Sequence, residues 1–167
     1  MKARLTVPLV LLLIATAALS QTPAQQSFAQ LKTLSGSWEG KNSKGMPLLV
    51  TFEDTAAGSA LLSEIHGDGP QDMVSMIHLD GSRLVMTHYC SVGNQPRMAG
   101  TASPDGKTIT FDFFDATNLA TPDAGHMQRV VIAMLDSNHH TEDWTFDDHG
   151  KVMKEFFDLH RSEVAQK

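Results

Sequence analysis

One cysteine, one tyrosine and two tryptophans occur in 167 residues. A lone Cys90 excludes any internal disulfide framework, so stability rests on a packed core. Neither Cys-x-x-Cys, His-x-His nor His-Glu-x-x-His spacing is present, so no metal-ligand motif can be recognised and no metal site is predicted. Basic residues are in deficit: 13 Lys and Arg stand against 19 Asp and Glu, a formal charge of −6 with a pI near 5.7. That balance argues against a nucleic-acid binder, whose contact face is basic. No apolar run after residue 20 approaches the roughly 20 residues that a membrane-crossing helix needs. No crossover helix is available between the β-type segments, which excludes a parallel sheet. What remains, 41% apolar and 19% charged residues, is the composition of one folded globular domain.

Residues 1–20 read as a separate object. Lys2 and Arg4 form a positive start, Leu5 to Leu19 an apolar stretch, and Ala18-Leu19-Ser20 puts small residues at −3 and −1 of a cut before Gln21. This is the anatomy of a secretory signal peptide. The stretch is short for a membrane anchor and is interrupted by Pro8. Cleavage leaves 147 residues with 11 basic and 19 acidic side chains, a formal charge of −8. The expected location is therefore exported, periplasmic or secreted, with no membrane insertion after signal removal. Residues 21–167 form the single domain.

That domain begins with one short helix. Thr22-Pro23-Ala24-Gln25 has capping-box spacing with proline at the first helical position, and Phe28, Leu31 and Leu34 share one face of a helix over about 23–34. After Ser35 the helical period ends and turn signals recur: Lys44-Gly45, Ala57-Gly58, Gly67-Asp68-Gly69, Asp80-Gly81, Gly93-Asn94, Asp105-Gly106, Asp136-Ser137-Asn138 and Asp148-His149-Gly150. The segments between them predict strands near 36–42, 47–54, 59–66, 71–79, 83–92, 95–103, 107–114, 126–136, 139–147 and 150–160. Several alternate, as in Leu84, Met86, His88 and Cys90 against Val85, Thr87 and Tyr89. A strand about every 12 residues is the cadence of an antiparallel up-and-down meander. The predicted fold is all-β: one barrel of about 8–10 strands, closed at one end by the short helix, with a two-sheet sandwich as the alternative. Residues 115–125 carry no strand pattern and read as a long connection on the rim.

Leu34-Ser35-Gly36-Ser37-Trp38-Glu39-Gly40 resembles the Gly-x-Trp opening of the calycin superfamily, which holds lipocalins, fatty-acid-binding proteins and nitrobindin-like haem proteins. The nitrobindin pattern Gly-x-Trp-x-Gly-x-Gly is met here except at its last position, Asn42. The resemblance implies a short helix closing the barrel, a first strand carrying the Trp, and a basic residue after the last strand that packs over it. Arg161 stands in that place. Thr87-His88-Tyr89-Cys90 followed by Gly93-Asn94-Gln95-Pro96-Arg97-Met98 is similar to a group of small exported bacterial proteins of unassigned function. Independently of family, a Trp38 flanked by Gly36 and Gly40 can lie flat across the end of a core, its N–H bonded and its face under a guanidinium. Gly36, Trp38, Gly40 and Arg161 are therefore expected to be structural.

The densest polar cluster is His88, Tyr89, Cys90, Asn94, Gln95 and Arg97, on two strands joined by a tight turn. If His88 and Arg97 point inward, they put an imidazole and a cation inside an apolar cup, a common way to hold a small ligand. A carboxylate head group would suit Arg97. The bland alternative is a hydrogen-bond network that only fixes strand pairing. His126, which shares a face with Gln128, joins the candidates. Cys90 and His88 share a strand face but sit roughly 7 Å apart at their bases, with no elbow or helix N-terminus to activate the thiol. The run Glu142-Asp143 and Asp147-Asp148 reads as a solvated face and a hairpin tip. No cofactor is predicted; haem is an alternative, since a single axial imidazole from His88, His126, His149 or His160 would serve. Met residues along the strands can line an adaptable pocket or fill the core. The function expected is an exported barrel that binds or carries a small apolar or amphipathic ligand, as monomer or homodimer. The alternatives are an enzyme built on His88 or haem, and a structural domain with a filled core.

Overall fold

The computed structural model describes residues 20–67 and 72–162; the segment expected to be a signal peptide, apart from Ser20, lies outside them. Helix α1 spans Pro23–Lys32. Its start is the predicted capping box: Thr22 Oγ1 accepts from Gln25 N at 3.2 Å, and Gln25 Oε1 accepts from Thr22 N at 2.8 Å. Ten strands follow: β1 Gly36–Asn42, β2 Pro47–Thr55, β3 Ala60–His66, β4 Met73–Asp80, β5 Arg83–Tyr89, β6 Gln95–Ala102, β7 Thr108–Thr117, β8 His126–Asp136, β9 His139–Asp148 and β10 Lys151–Arg161. A short 3₁₀ turn, Ala56–Gly58, joins β2 to β3. Among the described residues no helix is long and apolar enough to cross a membrane.

Each strand pairs antiparallel with the next, and β10 returns to β1, so the sheet closes on itself. The closing ladder runs from Trp38 opposite Arg161 to Asn42 opposite Phe157. A continuous ring leaves no sheet edge and decides against the two-sheet sandwich. The expected 115–125 connection is shorter than the sequence suggests. Strand β7 continues to Thr117, because Asp115 pairs with Arg97 of β6 and Thr117 donates to Gln95 Oε1 at 2.7 Å. Those partners are remote in sequence, and no local pattern announces them.

The α1 end of the barrel is a plug. Phe28, Leu31 and Leu34 are buried against the core, and α1 packs on β2, β4, β5 and β6. Trp38 is fully buried; its Nε1 donates to Leu34 O at 2.7 Å, and the Arg161 guanidinium stacks 4.2 Å from its ring. Arg161 also donates to the carbonyls of Thr33, Ser35 and Ser137 at 3.0, 2.9 and 3.1 Å. One side chain thus ties the helix end, the start of β1 and the β8–β9 turn together. The two glycines beside Trp38 have separate reasons to be glycine. Gly36 takes φ +126°, and a Cβ there would lie 3.0 Å from Arg161 Nη1. At Gly40 a Cβ would fall 1.9 Å from the Asp158 carbonyl oxygen across the closing ladder.

Inside, most of the core is apolar, with Phe52, Leu61, Ile77, Leu84, Ile109, Ile132 and Leu159 fully or almost fully buried.

Candidate functional site

Alternation along β5 sends His88 inward and Tyr89 outward, as strand geometry requires. The inward imidazole is opposite Ser75 of β4, which is opposite Ser63 of β3, so three buried polar residues form a row across adjacent strands. Ser75 Oγ and His88 Nδ1 lie 2.9 Å apart. His88 Nε2 is buried with no hydrogen-bond partner. Across the barrel the His88 ring meets Trp144, centroid to centroid 4.9 Å.

Trp144 belongs to a second polar row, His140-Glu142-Trp144, on the inner face of β9. The Glu142 carboxylate accepts from Trp144 Nε1 at 2.8 Å and from His140 Nε2 at 3.2 Å. His140 sits edge-on to Trp38, with ring centroids 4.3 Å apart. This row runs from the plug into the barrel and reaches the open end at Trp144. A buried carboxylate survives only with such donors around it. The expectation that Glu142 lies on a solvated face is therefore wrong: it is 1% exposed. Its phase with Trp144 and Phe146, against Thr141, Asp143 and Thr145, was the sign that it points inward.

At the open end, Met127, Trp144, Phe146 and Met153 line a hollow of about 380 Å³ rimmed by Lys44, Lys154 and Glu155. A smaller one of about 200 Å³ next to it is lined by Leu48, Ile65, Met73 and Phe157, and shares Glu155.

The other candidate residues do not gather around His88. Arg97 is on the outside. Its register partner on β5 is Thr87, which faces out, while Pro96 and Met98 take the inward positions of β6. There Arg97 forms a two-pronged ion pair with Asp115 and lies 5.3 Å from the Phe114 ring. The Asp115 carboxylate holds its pKa above the usual arginine value. The barrel interior thus contains the imidazole without the cation. Tyr89 is exposed. Gln95 donates to Gly93 O at 3.1 Å and is held by Thr117. Cys90 is a free, buried thiol at the β5–β6 turn, where its N–H donates to Asn94 O at 3.1 Å. Asn94 Nδ2 donates to Gly125 O at 2.7 Å and Asn118 Nδ2 to Gly93 O at 2.6 Å, so this turn is laced to the β7–β8 loop. His126 has both ring nitrogens occupied, by Ala124 O at 2.7 Å and Gln128 Oε1 at 3.1 Å. Sequence reasoning found His88 but missed Ser63, Ser75, His140, Glu142 and Trp144.

Burial pushes the His88 pKa down from 6.5 to about 4. The ring is therefore neutral at pH 7. Between those two values the unfolded chain binds the proton and the folded chain does not. The stability this group contributes is fully present above pH 6.5 and is lost as pH falls toward 4, by about 3 kcal/mol across the window. Urea unfolding of the wild type and of His88→Gln, compared at pH 7 and pH 4.5, checks this: the wild type is expected to lose about 2 kcal/mol more than the variant. Equal acid sensitivity would show that the imidazole is not the group responsible.

These features define a closed ten-stranded antiparallel barrel, plugged by a helix at one end and apolar at the other, with buried polar rows between. Among solved structures it is similar in fold to Rv2717c from M. tuberculosis, with a TM-score of 0.55 and 17% sequence identity, over 82% of this chain and 98% of that one. At that identity the likeness concerns the fold. No protein-family model and no curated protein sequence matches the chain.

Proposed function

We propose that this protein is an exported barrel that binds or carries a small apolar or amphipathic molecule, taken in through the open end. The observation that carries this reading is His88 Nε2, a polar atom on a fully buried ring with no partner. Such atoms are rare in folded proteins and cost about 1–3 kcal/mol each, so one left open in the interior, against the Trp144 ring that lines the open-end hollow, is a natural anchor for a ligand's polar group. The imidazole is neutral, which suits a hydroxyl, a carbonyl or a protonated carboxyl group. Met127, Phe146 and Met153 at the mouth supply an adaptable apolar lining, and Lys44 and Lys154 on the rim would meet an anionic head. Lys2, Arg4 and the apolar stretch after them support export.

Binding fits better than catalysis. Ser75 and His88 make a Ser–His pair, but no carboxylate orients the ring from Nε2, so the third member of a nucleophilic set is lacking. Haem is the competing occupant, because an axial ligand needs one imidazole nitrogen without another partner.

The test is a native mass spectrum of gently purified protein. A reproducible adduct that vanishes on denaturation is expected, and His88→Ala is expected to lose it while remaining folded by circular dichroism. The adduct mass separates lipid from haem. A bare chain in the wild type overturns the carrier reading, and an adduct kept by His88→Ala removes His88 from its centre.

A further inference from the structure

On the outer wall, His139 of β9 stands directly opposite His160 of β10. Their rings stack, with centroids 4.1 Å apart and 19° between planes. Asp158, two residues before His160 and on the same face, places Oδ1 2.7 Å from His139 Nε2 and 3.7 Å from His160 Nε2. One donor atom from each of the three lies within 4.8 Å of the others. Linear spacing hides this group, because two of its members come together only through the β9–β10 register.

We propose that His139, Asp158 and His160 form a divalent transition-metal site on the barrel's outer surface. The donor set is two imidazole nitrogens and one carboxylate oxygen. Magnesium and calcium favour oxygen-rich surroundings, so this set selects zinc, copper or nickel. Metal–ligand bonds of about 2.0–2.2 Å in a tetrahedron put neighbouring donor atoms about 3.3 Å apart. The two measured contacts of 2.7 and 3.7 Å bracket that value. Asp158 and His160 are largely exposed, so the small rotations needed meet little resistance. The remaining coordination positions face solvent and would be filled by water. Glu39 lies opposite His160 on β1, and Asp136 opposite His139 on β8, so the pair of imidazoles is flanked by carboxylates along one row of the wall. A chain of formal charge −6 adds a general attraction for cations. This site is separate from the interior row of His88 and does not depend on what the barrel carries.

Calorimetric titration of the purified protein with zinc sulfate tests the assignment, with magnesium chloride as the control. One zinc ion per chain is expected, with no magnesium binding. His139→Ala and His160→Ala are each expected to weaken zinc binding by about tenfold or more, as loss of a ligand should exceed loss of its supporting partner. His149→Ala, at an exposed histidine outside the cluster, is expected to leave it unchanged. Circular dichroism without metal confirms that each variant is folded. Absence of zinc binding, or binding that survives in the His139→Ala/His160→Ala double variant, overturns the proposal.

Discussion

Replacing Trp38 by Ala is expected to lower the unfolding free energy by about 3–5 kcal/mol, the range for removing a large buried aromatic ring. Four losses combine at this position. The fully buried indole leaves a void between α1 and the floor of the barrel. The Leu34 carbonyl loses the N–H that reached it at 2.7 Å. Arg161 loses the ring beneath its guanidinium, and His140 loses the ring that fixes it edge-on. Urea denaturation measures the effect directly, and Trp38→Phe should recover a large part of it by refilling the space. An unchanged midpoint for Trp38→Ala would mean that the plug is not what holds the barrel's end.

Gly40→Ala is expected to be worse than its single added methyl suggests. The new Cβ would meet Asp158 O at 1.9 Å and Asp158 C at 2.9 Å, both main-chain atoms of the closing ladder. A side chain can rotate away from such a contact, but a paired strand cannot without parting from its neighbour. Overpacked sites commonly cost about 1–3 kcal/mol, and a clash with paired backbone belongs at or above the top of that range. The expected result is a soluble yield and a urea midpoint both well below wild type. Gly36→Ala offers the useful contrast: the atom in its way is the end of the Arg161 side chain, although the +126° φ adds strain. If Gly40→Ala unfolds at the wild-type midpoint, β1 and β10 are not in the register described.

Much of this architecture was legible in the linear sequence because the deciding signals are local. Thr22 and Gln25 cap the helix within four residues, Asp80-Gly81 and Asp105-Gly106 mark tight turns, and apolar alternation assigns Leu84, Met86 and His88 to one face. Strand pairing is a different kind of information. Arg97 looked like an inward cation until its register with Thr87 set it outside. His139 and His160 meet only because β9 and β10 bring them face to face. Glu142 illustrates a third case. Its alternation with Trp144 and Phe146 pointed inward, while its neighbour Asp143 and its charge pointed outward. The outcome turned on two N–H donors that only the folded strand provides. The interior of the candidate site was therefore readable at His88 and obscure elsewhere.

Ring closure also orders the events of folding in time. Nine of the ten ladders join consecutive strands and can form as hairpins from nearby segments. The tenth joins β1 to β10, and it waits for the far end of the chain. Until then two unpaired strand edges are open, a condition that slows assembly and invites pairing between chains. Separation along the chain adds little to the entropy of that final step, which grows only with the logarithm of the loop, so the burden falls on rate more than on stability. Chain order has this schedule built in: Arg161, at the end of the last strand, must arrive before the indole of Trp38 receives its cover.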